Sequence, residues 1–340
     1  MPPTKKTSVI SLIGAVTALF LVLGLWGVGP RAAVAAEKVT FILDWIPYGS
    51  HTGFFTSLNK GIFRDTGLDV TIRRGYGSGD TVKLITAGKG DFGFADTGTL
   101  VVGRSRGAKA KTVGVLYNKA PHTAFALKRS GIRTVKDLGG RSIGEAQGGA
   151  AIAVFPALAK IHGVKKWKFV PMSPASKNPA LLAGKVDAIL TFADVGPSLR
   201  RGAKKTGNEI VELRYGDNGL DFYGNGIIVR DEDINSRPKL IRLFVNAAFR
   251  GAAHAIKNPD EGVKFLIQSN PNLNAAMARA QWDVLTSLAW TDETRKHGLG
   301  YMSETKMRQT VDLISKYREL KGKPPLSEVY APQFLEKIFP

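Results

Sequence analysis

Residues 37–340 predict an α/β fold in two lobes, on three observations. Short apolar runs alternate with helix-like stretches from Val39 onward, the alternation occurs twice, and after Gly226 one last strand gives way to helix almost throughout. Such alternation predicts a largely parallel sheet covered by helices. A chain of about 300 residues usually divides into two lobes.

The first lobe is expected to carry strands over 39–43, 68–72, 92–95 and 112–116, with helices over 51–59, 80–87 and 97–106, the second of these stopped by Gly88. After a run over 123–127, the second set has strands over 141–144, 168–171, 188–191 and 209–213 and helices over 150–162, 179–183 and 195–201. Asn178 and Pro179 supply an N-cap and a proline at the first helical position. A final strand over 227–230 precedes a helix in which Leu240, Phe244, Ala247, Ala248, Gly251 and Ala255 recur at helical spacing. Asn258 and Pro259 open the next helix, and 277–288 and 303–320 continue the pattern. These helices are expected to cover the first lobe, because chain returning through 223–229 leads back to it. The expected division is therefore 37–125 with 226–340 as one lobe and 126–225 as the other. Crossings near 123–128 and 219–226 would form a hinge beneath a cleft, and ligands in such folds sit at strand C-terminal ends and helix N-termini.

Ahead of these lobes, Lys5 and Lys6 precede an uncharged apolar run over 9–28, and Ala33-Val34-Ala35-Ala36 offers small residues where a signal peptidase cuts. Residues 1–36 are thus expected to be an export signal that delivers the chain to the periplasm, with a retained membrane anchor as the alternative. Cysteine is absent, which excludes disulfides, thiolate metal sites and a cysteine nucleophile. Lys5, Lys6 and Arg31 contribute three of the formal +20, leaving +17 on the rest. The basic residues are scattered and no nucleic-acid motif accompanies them, so a solvated basic surface able to steer an anionic solute is expected, not a nucleic-acid partner.

Four loops carry groups suited to a ligand. Asp44 and Trp45 follow the first strand, Asp96 and Thr97 the third, Gly148, Gly149 and Ala150 open a helix in the second lobe, and Asp194 follows the strand over 188–191. Trp45 offers a flat face for stacking, Asp44 an acceptor for amino or ring N–H groups, and His51 a group able to donate or accept near neutral pH. The amides after Gly148 and Gly149 suit carboxylate, sulfonate or phosphate. They do not form a phosphate-binding P-loop, which needs a lysine and a hydroxyl. Tyr223 and Asn225 stand at the second crossing, where they could close over a ligand or simply pack the hinge. The histidines His51, His122, His162, His254 and His297 show no metal-ligand spacing, and no serine lies in a nucleophile elbow. No catalytic residues, metal or cofactor are therefore expected.

Leu43-Asp44-Trp45-x-Pro47, Gly61-Ile62-Phe63 with Gly67-Leu68-Asp69-Val70, Gly90-Asp91-Phe92-Gly93, Gly184-Lys185-Val186-Asp187-Ala188 and Phe222-Tyr223-Gly224-Asn225-Gly226 resemble the substrate-binding proteins of ABC importers for thiamine pyrimidine precursors, sulfonates, nitrate and related solutes. The resemblance covers nearly all of residues 37–340. It implies a two-lobed periplasmic binding protein of type II, a monomer that closes on a small-molecule solute by hinge motion and docks on an inner-membrane permease. It also implies that Trp45 and His51 lie near a pyrimidine ring. Gln147-Gly148-Gly149 departs from a loop that is usually richer in serine or charge. A fungal branch of enzymes that build the pyrimidine from pyridoxal phosphate is also similar around 90–99. Those enzymes carry lysine and histidine where Ala95 and Thr99 stand, and a cysteine cluster near 221–225, none of which is present here. The expected site is Asp44, Trp45, His51, Asp96, Thr97, Gly148, Gly149, Ala150, Asp194, Tyr223 and Asn225. Its expected occupant is a pyrimidine-like solute, with a sulfonate, nitrate or aromatic carboxylate as the alternative. A periplasmic enzyme pairing His51 with Asp44 and a sensor input module are the remote ones.

Overall fold

The computed structural model of the chain describes residues 1–3, 36–318, 320 and 322–340; residues 4–35 of the expected export signal lie outside these. Two five-stranded sheets form the two lobes. In chain order the first run is β1 (Glu37–Ile42), α1 (Thr52–Asn59), β2 (Leu68–Arg73), α2 (Ser78–Thr86), β3 (Phe92–Asp96), α3 (Thr97–Arg104) and β4 (Ala110–Val115). The chain then crosses to β5 (His122–Leu127), β6 (Ser142–Glu145), α4 (Ala150–Ile161), β7 (Lys168–Pro171), α5 (Lys177–Leu182), β8 (Ala188–Phe192), α6 (Gly196–Lys204) and β9 (Ile210–Arg214). It returns through β10 (Asn225–Arg230) to α7 (Pro238–Lys257), α8 (Pro259–Ser269), α9 (Ala275–Ala289), α10 (Asp292–His297) and α11 (Glu304–Arg318).

The strand orders are β2-β1-β3-β10-β4 and β7-β6-β8-β5-β9, the same pattern twice. In each sheet four of the five strands run the same way, as the alternating pattern predicts, and the fifth is reversed, which makes both sheets mixed. β10 runs antiparallel to β3 and β4, and β5 antiparallel to β8 and β9. The reason is topological: both are crossing strands, which enter their sheets at the end where the parallel strands leave. Alternation of strand and helix specifies only the βαβ units on either side.

Helix α5 also begins earlier than Asn178 and Pro179 predict. Ser176 is its N-cap residue, and Pro179 sits within the first turn, where its missing N–H has no intrahelical acceptor to lose. Helix α10, opened by a capping box between Thr291 and Thr294, was not anticipated from the sequence.

Helices α7 and α8 cover the first lobe as expected. Phe244 of α7 stacks on Phe92 of β3 at 3.8 Å between centroids and on Phe63 at 5.2 Å. Each fully buried ring of this kind contributes on the order of 1.5–3 kcal/mol. Helix α11 differs. Met307, Val311 and Ile314 form one helical stripe that shares an apolar cluster with Val154, Phe155 and Leu158 of α4 in the second lobe. The C-terminal helices therefore straddle both lobes rather than covering one.

Candidate functional site

The repeated strand order places matching chemistry on the two facing edges. β1 and β3 are parallel, so their C-terminal ends share an edge, where Asp44 lies just beyond β1 and Asp96 closes β3. β10 enters beside them, with Asn225 opposite Asp96. In the second sheet β6 ends on Glu145 and its parallel neighbour β8 leads to Asp194, while β5 enters with His122 opposite Phe192. Each lobe thus contributes two acids and one polar side chain from its crossing strand.

On the first lobe, Asp44 is held from two sides. His51 Nε2 lies 2.9 Å from its Oδ1, and Asn225 Nδ2 donates to its Oδ2 at 2.8 Å. The His51 Nδ1 accepts the Tyr48 backbone N–H at 3.4 Å, which assigns the ring proton to Nε2 as the donor to Asp44. One oxygen of Asp96 caps α3, accepting the Thr99 N–H at 2.6 Å and the Thr99 hydroxyl at 2.7 Å. Its other oxygen is 3.2 Å from His122 Nε2, across the lobe boundary, without the alignment of a hydrogen bond.

On the second lobe, Lys177 Nζ donates to Glu145 Oε1 at 2.7 Å and to the Leu190 carbonyl at 3.1 Å. It also sits 4.6 Å from the centroid of the Trp45 ring, so a cation from one lobe covers an aromatic face of the other. Burial raises the pKa of the Glu145 carboxyl, and the Lys177 ammonium opposes that rise. Gly149 makes the arrangement possible, since a Cβ there would lie 2.6 Å from Glu145 Oε1. Asp194 is wholly buried and neither carboxylate oxygen has a partner of hydrogen-bonding geometry. Burial lifts its pKa to about 7; the approach of the Tyr48 hydroxyl pulls it back, the charge on Asp44 adds to it, and the backbone N–H groups of Asp194 and Val195 pull it back further. The phenols of Tyr48 and Tyr117 are in turn held well above their usual range, by burial first and then by Asp194 and Asp44.

The space enclosed between these groups, walled by Asp44, Trp45, Tyr48, Glu145, Lys177 and Thr191, is about 30 Å³. That holds a water or two and no ring, so an organic ligand requires the lobes to part. In the loops and strand ends behind it, Ser50 Oγ, Asn225 Oδ1, both Asp194 oxygens and His122 Nδ1 are buried without hydrogen-bond partners, and Asp96 Oδ2 and His122 Nε2 have only each other at 3.2 Å. Buried polar atoms are rarely left unpaired, and those that are call for a functional explanation.

Of the expected residues, Asp44, Trp45, Gly149 and Ala150 line this space; His51 and Asn225 are bonded to Asp44, while Asp96, which faces His122, and the buried Asp194 are not on its walls. Gly148 lies beside it, its carbonyl accepting the Gly79 N–H of the first lobe at 3.0 Å. Thr97 is spent on the crossing, where its N–H and its hydroxyl both donate to the Gly224 carbonyl, at 3.1 and 2.7 Å. The Tyr223 hydroxyl is directed to the C-terminal helices, accepting the Ser303 N–H at 2.9 Å and lying 3.3 Å from both Glu293 carboxylate oxygens. Sequence reasoning missed Tyr48, His122, Glu145 and Lys177. Glu145 was within reach, because it ends a strand as Asp96 does.

A match to the family described as NMT1/THI5 like spans residues 49–262. Among curated proteins, the chain is 27% identical over 280 residues to the riboflavin-binding protein RibY of Chloroflexus aurantiacus, covering 80% of this chain and 78% of that one. It is 24% identical to a 4-amino-5-hydroxymethyl-2-methylpyrimidine phosphate synthase of Saccharomyces cerevisiae, over 73% of this chain and 76% of that one. Among solved structures, the periplasmic aliphatic sulphonate-binding protein SsuA of Escherichia coli superposes with a TM-score of 0.67 at 15% identity, covering 88% of this chain and 94% of that one. The alkanesulfonate-binding protein SsuA of Xanthomonas axonopodis pv. citri, bound to MOPS, gives 0.68 at 16% identity, covering 87% and 99%. The two-lobed fold is therefore that of periplasmic binding proteins, and the chain belongs to the NMT1/THI5-like family.

Proposed function

We propose that the protein is the solute-binding component of an ABC importer and that its cleft takes a small nitrogen heterocycle bearing amino or ring N–H donors, of the aminopyrimidine type. The observation that carries this reading is the set of orphaned atoms between the lobes. Asn225 Oδ1 and both Asp194 oxygens are unpaired acceptors that ligand N–H groups would satisfy, while the Ser50 hydroxyl and a His122 ring N–H are donors left for an acceptor on the same ligand. Trp45 supplies a stacking face beside them, and the enclosed acids outnumber the one ammonium of Lys177.

Such a ligand would bridge the lobes and favour closure by its greater affinity for the closed state. Export by the N-terminal segment, action as a monomer and delivery to a permease belong to the same proposal, supported by relatives and neighbours named as binding proteins. A hinge lobe over 126–225 closing on the rest is likewise part of it. A second reading, an anionic solute such as a sulfonate, rests on the first-turn amides of Ala150 and Ala151, which have no intrahelical acceptor and border the cleft beside Lys177.

Thermal shift and calorimetric titration with 4-aminopyrimidines, riboflavin and alkanesulfonates decide between the two, since a ligand of the folded state raises its melting temperature. Aminopyrimidine binding that is lost in Asp194→Asn supports the first reading. Sulfonate binding indifferent to Asp194 supports the second. Turnover of the bound compound would overturn the carrier reading in favour of an enzyme.

A further inference from the structure

On the far side of the Gly79–Gly148 contact lies a larger groove of about 610 Å³, well within the size range of small-molecule sites. Its walls come from α2 and α3 of the first lobe, from α4 of the second and from the end of α11. Val82, Val102 and Ile152 make it apolar; Lys83, Arg106 and Arg318 are its charged residues, and no acid among the described residues lines it.

Arg318 is unlike the other partly buried arginines. Arg104 is gripped by Asp231 and Glu328, Arg230 by Asp233, and Arg237 by Asp91. No carboxylate among the described residues pairs with Arg318; its Nε, like that of Arg104, is buried without an acceptor, and so is the Thr86 hydroxyl in the same groove. Its neighbour in charge is another cation, Arg106, which together with burial lowers its pKa. A planar donor fork held against like charge at the end of an apolar trough matches a carboxylate with a hydrocarbon body.

We propose that this groove, which meets the cleft at Gly149 but is independent of its reading, is a second binding site for an amphipathic carboxylate. The carboxylate would lie on Arg318 with Arg106 beside it, and the hydrocarbon would run along Val82, Val102 and Ile152. Because α2 and α3 belong to one lobe and α4 to the other, an occupant touches both and its affinity depends on their separation. The groove also gives the chain's cationic excess a local use that the acid-rich cleft does not.

The test is calorimetric titration of the full chain with octanoate, with octanamide as its uncharged counterpart and inorganic phosphate as the bare anion. Octanoate should bind at least about tenfold more tightly than either control. Arg318→Met, which keeps the aliphatic stem and relieves an unpaired buried donor, should fold normally by circular dichroism and lose at least about tenfold in octanoate affinity. Ile152→Asp, which adds an acid to the groove, should abolish octanoate binding. Equal binding of octanoate and octanamide, binding unchanged in folded Arg318→Met, or no octanoate binding at millimolar concentration would each overturn the proposal.

Discussion

Lys177 and Trp45 meet face to cation across the two lobes, with the ammonium 4.6 Å from the ring centroid and tied behind by Glu145 at 2.7 Å. The contact joins an aromatic face of the first lobe's loop to an ion pair sealed inside the second. It makes Glu145 and Lys177 parts of one unit, so removing either partner should cost more than removing both. Lys177→Met leaves a buried carboxylate without its cation, which typically costs about 3–5 kcal/mol. Denaturant unfolding should show that loss in Lys177→Met and a substantial recovery in Lys177→Met combined with Glu145→Gln. Additive losses would show that the pair is not coupled.

Trp45 is only half-buried, and its ring faces the enclosed space rather than a core. Trp45→Ala should therefore leave the melting temperature of the ligand-free protein within a few degrees. Its effect should fall on ligand affinity, where lost stacking of an aromatic partner is worth roughly 0.5–1.5 kcal/mol beyond area burial. Fluorescence titration with the ligand found in the thermal-shift panel measures this directly. Unchanged affinity would remove Trp45 from the site.

Lobe closure should be most sensitive at Gly77. Its φ of +137° is strained for any other residue, and a Cβ there would lie 2.3 Å from the Gly148 carbonyl oxygen and 2.9 Å from Gly149 N, backbone atoms of the opposite lobe. Gly77→Ala should hold the lobes apart: a larger radius of gyration in small-angle scattering and weaker ligand binding, with secondary structure intact. Gly79→Ala is the control, because its Cβ would be 3.3 Å from the same oxygen and needs only a small adjustment. If both variants close normally, the Gly77–Gly148 approach does not limit closure.

The strands and the acids at their ends were legible in the sequence because both are local signals. Asp44, Asp96 and Asp194 follow apolar runs, and runs bounded by turn residues are strands. What was not legible is anything that depends on strand direction. β5 and β10 look like other strands, yet their antiparallel entry is what brings His122 and Asn225 to the same edges as the acids. Lys177 was hidden for a different reason: read from Asn178 and Pro179, it fell outside the helix, whereas in the fold it opens α5 and points inward. Tyr223 shows the converse. Its place at a crossing made it a site candidate, but an aromatic at a crossing can face either way, and packing against Ser303 and Glu293 decided it.

Asp194 should make stability depend on pH with a sign opposite to that of an ion-paired acid. Its carboxyl titrates near 7 in the folded protein and near 4 when the chain is unfolded, so between those values the folded state holds the extra proton. Stability from this group is complete below about pH 4, falls as pH rises toward about 7, and stays low above it. The same proton makes closed lobes easier to populate at pH 5 than at pH 8, because opening exposes the carboxylate to water. Asp194→Asn removes the titrating group while keeping its shape. The variant should melt higher than the parent at pH 8, by an amount on the order of a few kcal/mol at most, and should differ little at pH 4. Under the proposed function it should also lose affinity for a ligand whose N–H groups donate to this carboxyl. Melting curves of parent and variant that stay parallel from pH 4 to pH 8 would show that Asp194 does not carry this proton.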